Sequence, residues 1–573
     1  MSLFLHLLSV VLCLGLLSLV FVGWGVLFRR IFGYRAAEIQ DVWISGWLGW
    51  ACVLAMLQIW HLVSPVNSAA LILVIAIGCL GAAPSLTELK AILAGKRRLA
   101  AVLLLGGAVL AFWLSNHSVS QPAVYDSGLY HLNAVRWNGT HPIVPGLGNL
   151  HGRLGYNNAS LLYSALLDAG PFSGRSHHIA SAWLIFWMLI RCLFAAFELL
   201  KRSSDGPRVE TMYYAVLLAP LLAWTVNSGY ASSHSPDVAC FVLAIVVGGE
   251  LLAMSHFEGR KGNCAQSRFI NLVLLSAAGI AVKLSFVVFG LALCGIGLLV
   301  LLSGQALTRR TWRPVIIALT LGALVLLPWC VRGVILNGCP AYPAKVLRFD
   351  FDWTVPESSS DVMLMRIKTW ARAPGAPPET VQHGWAWFRP WAERTFAENV
   401  FDIRLPLLTI ILAKILFWMR LRRGCTIEMR RCTLLCAPAV LGLAFWFWSA
   451  PDPRYQGSVT WVLAAFMLVL SLQHQRAWAL PLILGHGAMI LAGLVNPIDV
   501  IRTYKDASVA RQVPMMARET RSGLKLNIPV QGDQCWDAEL PCTPYYSPRL
   551  ALRDPADIRK GFTKMPLTKR ESE

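Results

Sequence analysis

The chain is poor in charge. Only 14% of its 573 residues are Asp, Glu, Lys or Arg, and 56% are hydrophobic, against about 25% charged in an average soluble domain. So small a polar complement cannot cover a globular surface of this size, and most of the surface must lie against lipid. Acid is scarcer than base, 31 residues against 51, for a formal net charge of +20. In a membrane protein that excess collects in connections facing anionic lipid. No basic patch sits on a soluble stretch, so no nucleic-acid partner is expected. Other absences prune the chemistry. There is no Walker-type glycine loop, HExxH, GxSxG or haem motif. The opening MSLFLHLLSVVLCLG lacks a basic n-region and a small-residue cleavage site, so a removed signal peptide is not expected. No internal repeat is visible, which weighs against an inverted-repeat transporter.

In place of charge the chain has long apolar runs. A bilayer core of about 30 Å takes about 20 helical residues. Fourteen runs are expected to span it: 3–28, 42–63, 68–84, 99–115, 179–200, 212–228, 237–254, 269–282, 284–302, 314–331, 404–421, 432–449, 457–472 and 477–495. The stretch 269–302 is too long for one crossing and is divided at Lys283. Alternate connections then hold twenty-two basic residues, among them Arg29, Arg30, Arg35, Lys96, Arg97, Arg98, Arg202, Arg260, Lys261 and Arg423, while the short connections on the other side hold two, Lys283 and Arg454. The positive-inside rule puts the basic set in the cytoplasm and both termini outside. The fold class expected is an all-α polytopic membrane protein, with a transmembrane domain over 1–495 and a small outer tail over 496–573. Two more outer segments, 116–178 and 332–403, are long. In the second, WAWFRPWAERTF suits an amphipathic stretch at the lipid–water boundary or a loosely ordered loop with interfacial aromatics. The tail motif CWDAELPC is expected to close a Cys535–Cys542 disulfide in an oxidising compartment. Zinc is disfavoured there, because no other Cys or His is near.

The stretch Tyr125 to Asn158, YDSGLYHLNAVRWNGTHPIVPGLGNLHGRLGYNN, is polar and Gly/Asn/His-rich between two apolar runs. Transfer of a sugar from a polyprenyl phosphate at the outer leaflet needs a carboxylate to take the acceptor proton or hold a metal. It also needs cations to receive the departing phosphate. Asp126, with Tyr125, Tyr130 and His131 around it, meets the first need; Lys283, Arg332, Lys345 and Arg454 could meet the second, each at or just beyond an outer helix end. Each residue also has a structural reading. Asp126 could cap the helical stretch LYHLNAVRW, and His131 could orient Asp126 or only cap a buried face. Arg136 and Arg153 could bind phosphate or brace the loop. Asn149 and His151 lie among glycines, where a sugar could approach the backbone. His234 and Asp237 share the outer face, though Ser-Pro-Asp also starts a helix well. Lys283 is costly inside an apolar stretch and needs an anionic partner or water. Arg454 and Tyr455 follow turns that would aim them. Arg191, Glu198 and Lys414 lie within spans and read as structural.

YDSGLYH, SSHSPD (Ser232 to Asp237), AVKLS around Lys283, RGVILNGCPAYP and SAPDPRY (Ser449 to Tyr455) are similar, in order and in common outer face, to motifs of GT-C-type integral-membrane glycosyltransferases. With YDSGLYHLNAVRW, GLGNLHGR and GDQCWDAELPCTP, the chain resembles most an uncharacterised family of bacterial polytopic proteins of that architecture. The resemblance covers about 99 to 545. It implies an inverting transferase in the bacterial inner membrane, with both termini periplasmic, membrane lipids around it, a polyprenyl-phosphate-linked sugar as donor and a cell-envelope glycan or lipid as acceptor. Its base or metal ligand would be Asp126. It singles out no cofactor, and a divalent metal is left open. Two departures stand out: three spans precede the one before this loop, and Ser127 follows Asp126 where a second acid would help a metal. Two other readings stay open, a lipid-linked oligosaccharide flippase and a non-catalytic component of a polysaccharide assembly complex.

Overall fold

A computed structural model of the chain describes residues 3–201, 208–255, 263–303, 309–382, 384–422, 429–472, 476–494 and 508–566. Of the basic residues named above, Arg202, Arg260, Lys261 and Arg423 lie outside the described residues, as does the start of the tail to 507. The protein is mostly helical and polytopic. Among the described residues, eleven helices are long and apolar enough to cross a membrane, from Leu3–Ile31 to Met429–Ser449. The three other expected spans are helices as well, Leu405–Arg422, Val459–Leu472 and Arg476–Leu494. The first carries Lys414, Arg420 and Arg422. The second is only 14 residues long and is almost wholly enclosed by its neighbours. The expected break at Lys283 is present. Helix Asn263–Val282 ends there, Lys283 is extended (φ −155°, ψ 128°), and the chain resumes as the turn Leu284–Phe286 and helix Val287–Leu302.

The two ends of the bundle differ chemically. At one end, ion pairs tie helix ends together: Arg29–Asp41 at 3.3 Å, Arg30–Glu88 at 2.8 Å, Arg191–Glu210 at 3.1 Å and Arg268–Glu250 at 3.0 Å. At the other end the three long segments pack on one another. The loop after helix Arg97–Ser118 folds into a π-helical turn Ser127–His131, helix Leu132–Thr140 and helix Ser160–Asp168, all largely buried. The segment after helix Arg309–Asn337 forms helices Glu357–Arg372 and Phe388–Glu398. Trp387 and Trp391 bury themselves against Trp446 and Phe447, while Trp370, Trp385 and Phe388 stay exposed. That division is the amphipathic reading of the segment, and a loosely ordered loop does not fit it.

Over its described residues, 508–566, the tail is mostly extended chain and turns. It forms two antiparallel hairpins, Met515–Glu519 with Lys525–Pro529 and Leu550–Leu552 with Phe562–Lys564. The Cys535–Cys542 disulfide lies between them. The tail docks on the first long loop. The Trp536 amide donates to Gly128 O at 2.8 Å and the Phe562 amide to Pro145 O at 2.9 Å. Arg136 donates to Asp537 O at 2.9 Å, and Thr543 Oγ1 to Leu150 O at 3.0 Å.

Glycine at 128 is what admits the indole, since a Cβ there would come within 2.5 Å of the Trp536 ring. Gly128→Val should therefore lift the tail. Cys535→Ser should destabilise it by about 2.5 kcal/mol, the loop-closure value for so short a ring. In limited proteolysis both variants should be cut within 508–566 many times faster than wild type, with the helical bundle intact. Unchanged cleavage in both would refute the docking.

Candidate functional site

Where the loop, the tail and the helix ends meet, they enclose a cavity of about 1120 Å³. Its polar end is organised by two cations. Asp126 stands at the head of the π-helical turn, and its Oδ2 accepts from Arg454 Nη1 at 2.9 Å. Arg454 is aimed by its own turn: Pro453 opens it, and the Asp452 carboxylate accepts the Arg454 amide at 3.1 Å and lies 3.8 Å from its Nε. Pro236 starts the helix Pro236–Ser255, and the Ser235 hydroxyl accepts the Asp237 amide at 3.3 Å. This holds Asp237 at a helix N-terminus, where the dipole favours a carboxylate. Lys283 pairs with Asp237, and its ammonium lies 4.6 Å from the centroid of the Tyr455 ring.

Other groups line the same space. Arg153 donates to the Tyr545 hydroxyl at 3.0 Å. Tyr130 meets His131 at 4.4 Å and Tyr156 at 5.9 Å between ring centroids. Burial lowers His131 to about 4, so its imidazole is neutral near pH 7. Its Nδ1 has no partner among the described residues. Tyr125 donates its hydroxyl to Asp533 in the tail. Away from these charges the wall is apolar, built by Phe286 in the turn Leu284–Phe286, Phe289 on helix Val287–Leu302, and Phe445 and Trp446 on Met429–Ser449. Helix Glu357–Arg372 closes the side and contributes Arg366 and Lys368.

Nine of the residues singled out from sequence therefore share one cavity: Tyr125, Asp126, Tyr130, His131, Arg153, Asp237, Lys283, Arg454 and Tyr455. The other six do not line it, and each has a different task. Arg136 braces the tail through Asp537 and Ala538. Asn149 donates to Trp353 O at 2.8 Å. His151 is buried and stacks on Tyr545 at 5.2 Å, one layer behind the lining. His234 bonds to Ser176 at 2.9 Å. Arg332 is buried and donates to Asn157 at 3.1 Å and to His61 at 2.5 Å. Lys345 pairs at the surface with Glu357 and Asp361.

Sequence reasoning missed Tyr156, Asp533, Tyr545, Arg366 and Lys368, which line the cavity. It also missed Asp402 and Asp452 beside Arg454. A second π-helical turn, Val400–Arg404, carries Asp402. Such turns insert one extra residue and are frequent at functional sites. The side chains do not suit a divalent metal. Asp126 and Asp237 are each committed to a cation, and among the described residues no three His, Cys, Asp or Glu groups converge.

Residues 7–461 match the family model described as Domain of unknown function (DUF8201), and the chain belongs to that family. No curated protein and no solved structure matches it.

Burial, with the charges of Asp452 and Asp237, pushes the Asp402 carboxyl up to about 7. The folded chain thus holds a proton that the unfolded chain releases near pH 4, so this group costs stability progressively as pH rises from about 4 to 7. Asp402→Asn removes that dependence. Its melting temperature should equal wild type at pH 4, exceed it increasingly up to pH 7, and keep a constant lead above, corresponding to about 2 kcal/mol after allowance for partial exposure. Parallel wild-type and variant curves would overturn the assignment.

Proposed function

We propose that this member of the DUF8201 family is a membrane glycosyltransferase of the GT-C type, moving a sugar from a polyprenyl-phosphate-linked donor to a cell-envelope glycan or lipid. On this reading the chain crosses the bacterial inner membrane about fourteen times. The cavity and both termini are periplasmic. The observation that carries the proposal is one cavity joining a carboxylate–guanidinium pair, Asp126 with Arg454, to an apolar wall on helices with largely exposed outer faces. A head group with a phosphate fits the first, and an isoprenoid chain fits the second.

The chemistry follows from the pairing. Without substrate, Asp126 and Arg454 neutralise each other. A donor phosphate arriving beside Lys283 and Arg153 competes for Arg454, because guanidinium binds phosphate bidentately. Asp126 is released by that exchange and becomes free to act as a base. The acceptor hydroxyl oxygen then bonds to the anomeric carbon as the bond from that carbon to the phosphate oxygen breaks. The hydroxyl proton passes to Asp126, and the electron pair of the broken bond stays on the phosphate, held by Arg454 and Lys283. Binding of the leaving group thus activates the base. Neutral His131 lines the same cavity as Asp126. No metal enters these steps.

The position of the charges also supports transfer over transport. A flippase needs polar groups along a route through the bundle. Here Asp126, Asp237, Lys283 and Arg454 gather at one end, and at the other end the buried charges are tied into the Arg191–Glu210 and Arg268–Glu250 pairs.

The test is the envelope-glycan profile of a deletion strain complemented with wild type or Asp126→Asn. Wild type should restore the missing sugar. Asp126→Asn should be present in the membrane at normal level, with transfer reduced by about 10²–10⁴-fold, the usual worth of a general base. Full restoration by Asp126→Asn would sink the transferase assignment and favour an assembly role.

A further inference from the structure

The cations of the cavity fall into two groups. Lys283 and Arg454 each contact a carboxylate, Asp237 and Asp126. Arg153 and Arg366 instead share a tyrosine. The Tyr545 hydroxyl accepts from Arg153 Nη1 at 3.0 Å, and the Arg366 guanidinium carbon lies 5.6 Å from the centroid of the same ring. The ring is fixed by its stack on His151 and by the Tyr545 amide, which donates to Thr543 Oγ1 at 3.2 Å. Arg153 is half-buried and Arg366 exposed, and both line the cavity. Lys368, on the same helix as Arg366, lines it as well. The acids near them are committed elsewhere. Glu357 and Asp361, in the first turns of that helix, pair with Lys345, and Asp533 accepts the Tyr125 hydroxyl.

Two guanidiniums beside one phenol repel each other, and an aromatic face attracts a cation only weakly at an open site. An anion placed between them removes the repulsion, and phosphate matches the guanidinium fork. The charges of the whole lining agree. Five cations, Arg153, Lys283, Arg366, Lys368 and Arg454, face three carboxylates, Asp126, Asp237 and Asp533. A sugar joined to a lipid through a single phosphate brings one negative charge and leaves part of that surplus unanswered. Joined through a diphosphate it brings two, and the surplus is met.

We propose that the lipid head group this cavity takes is a diphosphate. The phosphate next to the sugar lies at Lys283 and Arg454. The phosphate that esterifies the isoprenoid lies at Arg153 and Arg366, a second anion site in the same cavity, with Lys368 adding to its field. The part played in transfer rests on the transferase reading; the preference for a lipid diphosphate over a lipid monophosphate does not. On that reading the acceptor oxygen bonds to the anomeric carbon as the bond from that carbon to the nearer phosphate oxygen breaks. The acceptor proton passes to Asp126, and the electron pair stays on the departing lipid diphosphate. The leaving group gains one negative charge, spread over both phosphates. Arg153 and Arg366 take their share of it without giving up a carboxylate, whereas Arg454 first has to exchange one.

The test is calorimetric titration of the full chain in phosphatidylcholine nanodiscs, with empty nanodiscs as reference. The probes are farnesyl diphosphate, farnesyl phosphate and inorganic pyrophosphate. Wild type should bind farnesyl diphosphate about tenfold or more tighter than farnesyl phosphate. Arg366→Gln, an exposed substitution that should leave the melting temperature unaltered, should remove most of this preference. Arg153→Gln with Arg366→Gln should remove all of it, by weakening the diphosphate while the affinity for farnesyl phosphate changes by less than about threefold. Equal affinity of wild type for the two lipids would overturn the proposal, and so would a preference that survives both substitutions. Inorganic pyrophosphate binding as tightly as farnesyl diphosphate would also overturn it, by making the ligand a free diphosphate. If the preference depends on the two arginines but Asp126→Asn restores the envelope glycan, the transferase reading fails and the diphosphate site stands. If farnesyl phosphate binds as well as the diphosphate and Asp126→Asn abolishes transfer, the diphosphate site alone fails.

Discussion

The contact between Arg454 and Asp126 holds the site together. The two residues are 328 positions apart, and each arrives at the 2.9 Å contact on a turn that leaves it little freedom. Asp126 heads a π-helical turn, and Arg454 follows a proline whose neighbour Asp452 accepts its amide. A partly buried ion pair adds little net stability, because desolvation offsets most of the attraction; removing one partner is expensive, because it strands the other. The same logic applies to Lys283 with Asp237. Arg153, by contrast, donates to a phenol, Tyr545, and keeps its full charge towards the cavity. The resting site is therefore close to balanced at its centre and cationic on one flank. Such a site can admit an anion by exchanging partners, without first exposing a naked charge.

The second constraint is the covering of the polar loop. A segment rich in Gly, Asn and His cannot bury itself, because its backbone groups need partners. The helical bundle supplies some: the Ile143 amide donates to His61 O and the Gly146 amide to Ile335 O. The tail supplies others, at Gly128 O and Pro145 O, and becomes part of the cavity wall through Asp533 and Tyr545. The disulfide shapes the turn that presents Trp536 to Gly128. Substrate access and tail stability are linked as a result. A change that loosens the tail widens the mouth of the cavity and removes the hydroxyl that Arg153 holds.

Much of this was legible in the sequence, for physical reasons. Apolar runs announce helices in lipid because a backbone there must satisfy itself, and the break at Lys283 was visible because one cation interrupts thirty-odd apolar residues. The same argument found Asp126, Asp237 and Arg454, charges placed at the margin of lipid with turn residues beside them. It could not tell them from Arg332 or His234, which carry a similar signal. Sequence gives the depth of a residue along a helix but not the side on which its neighbours will stand. Arg332 at its depth faces His61 and Asn157, and Lys283 at a comparable depth faces the cavity. Asp402 was passed over because it follows an aromatic-rich stretch that reads as interface, and Asp452 because SAPDPRY reads as a turn whose business is to aim Arg454. Tyr545 and Asp533 were invisible because a contact across some 400 residues leaves no local pattern.

The arrangement of walls carries the argument one step further. Removing an isoprenoid chain from lipid costs about 0.8 kcal/mol for each buried CH₂, so a site for a lipid-anchored head group has to open sideways. The apolar wall of the large cavity is built on Leu284–Leu302 and Met429–Ser449, both of which are mostly exposed on their outer faces. The flank is covered by an amphipathic helix, Glu357–Arg372, whose Trp370 is half exposed. The charged groups Asp126, Asp237, Lys283 and Arg454 line the same cavity as this wall, so a lipid-borne head group would meet them while its chain stays among apolar side chains.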